Sequence, residues 1–197
     1  MRVRFMGVKD MIRKEGGKEA SLNSNPSSQG GPRDGNGRGG EYTICVIMDG
    51  GRLLLKHANR DICKGKWNFA GGKIEKGETK EGCVAREIME ETGLTLNNLF
   101  YHGKIDCHYS DGNTRRVHIF SSNSFSGAVT GSEEGEVRWF DRDHLPRESM
   151  FADVELWLER VCEGKRFEVA VSYGGDGGEA IVGWSMEVKG GMLSRSI

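Results

Sequence analysis

Three glutamates, Glu87, Glu90 and Glu91, stand at i, i+3 and i+4, and this spacing constrains the chain more than any other feature. Thr79–Thr92 reads as one helix stopped by Gly93. At about 100° per residue the three acids share one side of it. Val84, Ala85, Ile88 and Met89 form an adjacent apolar face, so the helix can rest on a sheet and aim its acids at a cleft. Two carboxylates about 6 Å apart in an effective dielectric of about 20 repel by roughly 3 kcal/mol, and by less than about 1 kcal/mol in full water. A half-buried cluster therefore calls for a cation. An all-oxygen donor set favours a hard divalent ion, Mg²⁺ or Mn²⁺, over zinc. Such ions serve phosphoanhydride chemistry by binding phosphate oxygens, screening charge and acidifying a water. The competing reading of the triplet taken alone is a solvated acidic helix side.

The surrounding residues decide between these readings. Gly72, Glu78, Arg86, Glu87, Ile88, Glu90, Glu91, Gly93 and Leu94 spell G-x5-E-x7-R-E-U-x-E-E-x-G-U, where U is aliphatic. Seven fixed residues at average usage make a chance match on the order of 10⁻⁸ per start position. The pattern is a complete Nudix box, and the chain resembles the Nudix hydrolases. That resemblance implies an α/β protein, a Nudix-type α/β/α sandwich with a mixed β-sheet. It also implies divalent metal, Mg²⁺ or Mn²⁺, and a water nucleophile acting on nucleoside diphosphates linked to another group. By the same resemblance Glu87, Glu90 and Glu91 are metal ligands, the Gly71 carbonyl is a further one, and Arg86 with Glu78 orients the acidic helix. Glycines allow backbone to approach phosphate and metal closely, and an Arg between acids holds them in place. Glu87 or Glu91 would take the proton of the water, with Glu134 as rival.

Outside the box, from Glu41 to about Val188, the chain resembles the oxidised-purine nucleoside triphosphatases, the 8-oxo-dGTP diphosphatase class. Trp67-Asn68-Phe-Ala-Gly-Gly72 is similar to the segment whose Asn binds the base, which implies that role for Asn68. Gly131-Ser-Glu133-Glu134 is similar to the loop that gives one more metal-side acid, implying Glu134. Pro146–Val154 resembles the stretch with a purine-stacking aromatic and two acids, implying Phe151 and Asp153. The sequence departs twice: Phe151 stands where that class has Trp, and Val154 where it has the second Asp. A phenyl ring stacks with less area, and a missing carboxyl removes a partner for reading the base. In a core, Phe151 would be packing and Asp153 a helix N-cap. Lys73 is a candidate phosphate contact, or an exposed loop lysine. The implied reaction turns a nucleoside triphosphate into the monophosphate and pyrophosphate, clearing damaged nucleotides such as 8-oxo-dGTP. Two alternatives are weighed against it. An ADP-ribose or other nucleotide-conjugate pyrophosphatase is disfavoured because no proline lies between Pro32 and Pro146. A non-catalytic nucleotide- or RNA-binding module is disfavoured because every box acid is present.

The remaining elements follow from period and punctuation. Tyr42–Met48 and Arg52–His57 read as a hairpin about Asp49-Gly50-Gly51, and Phe100–Tyr109 with Thr114–Ser121 as a second. Val137–Phe140 reads as a short strand. Ala152–Glu163 reads as a helix with the stripe Val154, Trp157, Leu158 and Val161, and Arg166–Tyr173 with Ala180–Val188 as a closing hairpin. Residues 1–40 carry a net charge of +4 and little to bury, so they are expected to be a disordered leader to a domain over 41–197. The whole chain has a net charge of −1, which excludes a polycation built to coat nucleic acid. No apolar run is long enough to span a bilayer. Five dispersed cysteines without a C-x-x-C pair imply free thiols in a reducing compartment, and the cytoplasm is the expected location. The expected partner is a small nucleotide, with neither membrane nor nucleic acid; the oligomeric state is open.

Overall fold

The computed structural model describes residues 40–59, 64–133, 135–174 and 180–189. The leader expected before residue 40, Cys63, Glu134 and the turn at 175–179 lie outside the described residues.

The apolar alternation of the strands builds one sheet with both faces covered. Its strands are β1 (Gly40–Asp49), β2 (Arg52–Ala58), β3 (Trp67–Asn68), β5 (Phe100–Tyr109), β6 (Thr114–Ser122), β8 (Gly135–Asp141), β9 (Arg166–Gly174) and β10 (Ala180–Lys189). The order is β10-β9-β5-β6-β1-β2-β3, with β8 on β2. Two short strands, β4 (Thr95–Leu96) and β7 (Phe125–Ser126), pair separately. The sheet is mixed: β1 runs parallel to β6 and β5 parallel to β9, while the remaining pairs are antiparallel.

The first expected hairpin is corrected in one respect. β1 and β2 pair only at Met48–Leu53 and Asp49–Arg52 and then diverge. β1 instead runs its length beside β6, and β2 its length beside β8. The gap is filled by the chain segment that carries the box glycines, so the divergence is what admits the site. The other two hairpins form at the expected residues.

Helices α1 (Lys80–Thr92) and α2 (Val154–Cys162) cover opposite faces. Thr79 caps α1 by accepting from Gly82 N–H at 3.0 Å. Gly93 ends it at φ 73°, giving its N–H to Met89 O at 3.0 Å. Only a residue tolerant of the left-handed region stops a helix this way at little cost. The buried side of α1 is Cys83, Val84, Ile88, Glu91 and Thr92; Ala85 and Met89, expected on that face, are exposed. Val84 and Ile88 pack with Cys45, Ile47, Leu54, Ala70, Leu94 and Phe120. α2 buries the expected Val154, Trp157, Leu158 and Val161 against Val46, Leu53, Leu55, Phe167, Val169 and Val171. Each fully buried side chain of this kind contributes about 1.5–3 kcal/mol. Consecutive residues of β1 and β2 thus serve different layers, the α/β/α arrangement. Cys45, Cys83 and Cys107 are buried and Cys162 is half-buried, all as free thiols. Burial pushes Cys83 up to about 11 and Cys107 up to about 12, which keeps both inert. Among the described residues no helix is long and apolar enough to cross a membrane.

Candidate active site

The site begins with a strap of backbone. Thr43 N–H donates to Gly72 O at 2.8 Å, Cys45 N–H to Ala70 O at 2.9 Å and Ile74 N–H to Glu41 O at 2.9 Å. Residues 70–74 are therefore laced to the edge of β1 that β2 has left. Gly71, between two residues whose carbonyls go to β1, turns its N–H to Glu91 Oε2 at 2.9 Å. Its φ is 150°, and a Cβ there would lie 2.1 Å from Thr43 O, so strap and strand meet only at glycine. At Gly72 a Cβ would lie 2.2 Å from Glu87 Oε1: the Glu87 carboxylate is seated on bare backbone.

Arg86 locks the helix to this strap. Its Nε and Nη2 donate to the two oxygens of Glu78 at 2.9 and 3.0 Å, a bidentate fork, and Nη2 also reaches Lys73 O at 3.3 Å. Its Nη1 donates to Glu87 at 2.8 Å and to Glu90 at 3.4 Å. The guanidinium, aided by Glu75 N–H, holds the Glu78 carboxyl down at about 2, so Glu78 stays charged. The pairing expected of Arg86 and Glu78 is thus present.

The three box acids sit in different surroundings. Glu90 is exposed, Glu87 is half-buried and Glu91 is 2% exposed. Burial pushes the Glu91 carboxyl up, and the Lys56 ammonium and Gly71 N–H oppose that shift. Lys56 on β2 forms an ion pair with Glu91 Oε1. It was not among the residues singled out from sequence, although one signal was available. In Leu53-Leu54-Leu55-Lys56 the lysine falls on the face of Leu54, beneath α1.

Among the described residues two cations, Arg86 and Lys56, meet four carboxylates here. With all four ionised, the cluster keeps a net charge of −2, which one divalent ion would cancel. Among the described residues no three His, Cys, Asp or Glu side chains converge as a ready cage. The donor set nonetheless suits a hard cation: every candidate is oxygen, two carboxylates already abut the glycines, and the charge is unbalanced. Glu134 lies outside the described residues.

The expected base-binding residues lie mainly in the other layer. Phe151 is half-buried against the α2 core, with the Lys66 ammonium 5.4 Å from its ring centroid. Asp153 is buried just before α2, but its side chain does not cap the helix. Its oxygens accept from Trp157 Nε1 at 3.0 Å and Tyr173 Oη at 2.8 Å. Burial, with the Asp153 charge next in importance, pushes the Tyr173 phenol up, so it remains a donor. Val154 is core. Asn68 stands across from Lys56 in the β2–β3 ladder, so by strand alternation it shares the Lys56 face and not that of Phe151. Its Oδ1 accepts from Phe69 N–H at 2.9 Å, which leaves a ligand the amide's donor side. Lys73 is exposed on the strap. Asp153→Ala should lower stability by about 2–4 kcal/mol, because two buried donors lose their acceptor. It should also weaken a purine triphosphate more than a pyrimidine one. Denaturant unfolding and paired KM values check the two halves, and equal KM losses would argue against base reading there.

A backbone strap on a central strand, faced by an Arg-locked acidic helix, is an arrangement suited to hydrolysis of phosphoanhydride links. The chain belongs to the NUDIX domain family, whose sequence profile matches residues 40–161. It is a Nudix hydrolase acting on nucleoside diphosphate derivatives. It is 37% identical over 126 residues to the oxidized purine nucleoside triphosphate hydrolase of Danio rerio, covering 64% of this chain and 81% of that one. It is 34% identical over 127 residues to the Mus musculus protein of the same name, with the same coverage. In fold it is similar to the MutT mutator protein of Bacillus halodurans, with a TM-score of 0.67, 25% identity, and coverage of 75% of this chain and 97% of that one.

Proposed function

We propose that the protein hydrolyses a nucleoside triphosphate to the monophosphate and pyrophosphate, with oxidised purine nucleotides such as 8-oxo-dGTP as substrates. The observation that carries the chemistry is the unbalanced carboxylate cluster against the Gly71-Gly72 strap. The relatives at 34–37% identity support the substrate class. Glu87, Glu90 and Glu91, with the Gly71 carbonyl and Glu134, would hold Mg²⁺ or Mn²⁺. When bound, the ion supplies charge neutralisation at the phosphate oxygens and a more acidic water. Arg86 keeps the helix acids in register with the strap. Glu87 or Glu91 accepts the proton of the attacking water. Water adds to one phosphorus of the α–β anhydride as the bridging oxygen leaves with the other product, and one proton is released.

Phe151 offers the base a ring face and Asp153 an acceptor from one side of the sheet, and Asn68, on the terminal strand β3, offers a donor from the other. Both Asp153 oxygens already serve core donors, yet a carboxylate has about four acceptor positions, so an incoming N–H can still be taken. A Mg²⁺ substrate panel of 8-oxo-dGTP, dGTP, ADP-ribose and dinucleoside polyphosphates tests the reading. The highest kcat/KM is expected for 8-oxo-dGTP, with pyrophosphate as co-product. Faster turnover of ADP-ribose would overturn it.

A further inference from the structure

Lys56 has an unusual place. Its side chain is 11% exposed and that of Glu91 3%, and the two are in contact under α1. The lysine is flanked in the sheet by Val137 of β8 and Asn68 of β3, and Gly135 lies against its stem: a Cβ there would be 3.4 Å from Lys56 Cγ. A leucine would suit this face, as Leu54 does two residues earlier. Taking an ammonium out of water is costly and is offset only by a close opposite charge. Arg86 serves Glu78, Glu87 and Glu90. Glu91, the most buried of the cluster, has its own cation.

Both oxygens of Glu91 are engaged, Oε2 by the Gly71 N–H and Oε1 by Lys56. The Gly71 contact belongs to the strap and cannot yield without moving β1. Each oxygen keeps a further lone pair, yet an ion that coordinates Glu91 lies beside the ammonium at Oε1 and is repelled by it. We propose that Lys56 is a resident counter-cation: it holds Glu91 in place when the site lacks metal, gives up Oε1 when a divalent ion binds, and so sets the affinity for that ion. Lys56 is a positioning residue in this role. The inference rests on the reading of the carboxylate cluster as a divalent-ion site.

Calorimetric titration with Mg²⁺ and Mn²⁺ alone, without nucleotide, on the full chain at fixed pH tests it. Lys56→Gln should bind the ion roughly tenfold or more tightly than the wild type, because a like charge and a competitor are both gone. Its metal-free melting temperature should fall, and saturating Mg²⁺ should raise it by more than in the wild type. Lys56→Arg, which keeps the charge, should bind close to the wild-type value. Lower stability with unchanged or weaker ion binding would reduce Lys56 to packing and overturn the proposal. A wild type that binds no divalent ion would sink the metal-site reading itself, a separate result. Should Lys56→Gln not fold, acetylation of the wild type followed by mass spectrometry gives the answer. Lys56 should be modified about tenfold faster with Mg²⁺ than without, and an equal rate would refute its displacement.

Discussion

Glu91→Gln is expected to fold and to lose turnover on the order of a hundredfold or more, because it removes a negative oxygen donor from the centre of the cluster while keeping its volume. Glu91→Ala should add a second loss. Gln still offers the Lys56 ammonium an amide oxygen in place of the carboxylate, whereas Ala removes that acceptor altogether, a change that costs about 3–5 kcal/mol. Steady-state kinetics in saturating Mg²⁺, with thermal unfolding of both variants, separate the two effects. Wild-type turnover in Glu91→Gln would remove Glu91 from the chemistry, whatever happened to stability.

The two box glycines should behave differently although they are neighbours. At Gly71 a Cβ would lie 2.1 Å from Thr43 O and 2.8 Å from Ile44 Cα, backbone that cannot swing aside, and the φ of 150° adds strain. Gly71→Ala should detach the strap from β1 and cost about 3–5 kcal/mol. In Gly72→Ala the nearest atoms belong to the end of the Glu87 side chain, the closest at 2.2 Å. That carboxylate can rotate away, so the variant should keep its melting temperature and lose turnover by about tenfold or more. Equal melting temperatures for the two variants would mean that the strap is not held as described. Full activity in Gly72→Ala would mean that the Glu87 seat has no part in the reaction.

Much of this was legible in the residues because the relevant interactions are local. Thr79 and Gly93 mark the ends of α1 within a residue, since capping is decided by the few residues at each terminus. The stripe of α2 is buried as its spacing requires. The Arg86–Glu78 fork connects residues eight apart on one helix and its lead-in. What the sequence hid depends on which strands become neighbours. The departure of β2 from β1, the parallel course of β1 beside β6 and the pairing of β4 with β7 are set by contacts far apart in the chain. Asp153 illustrates the limit. It stands at the start of a helix, where an Asp reads as a cap or, by resemblance, as a base-reading acid. Its engagement by Tyr173, 20 residues on in β9, could not be read from its neighbours.

The sequence by itself determined the chemistry available: an all-oxygen donor set on one helical turn, glycines where backbone must come close, and an arginine spaced to tie them. These follow from helical geometry and side-chain type, which need no distant partner. Tertiary structure alone decided how that chemistry is poised. It laced the glycine strap to β1, sank Glu91 while leaving Glu90 exposed, and brought Lys56 from another strand to neutralise the buried acid. The physical reason is that burial and charge pairing are properties of packed layers, and a layer exists only once strands distant in sequence have closed upon each other.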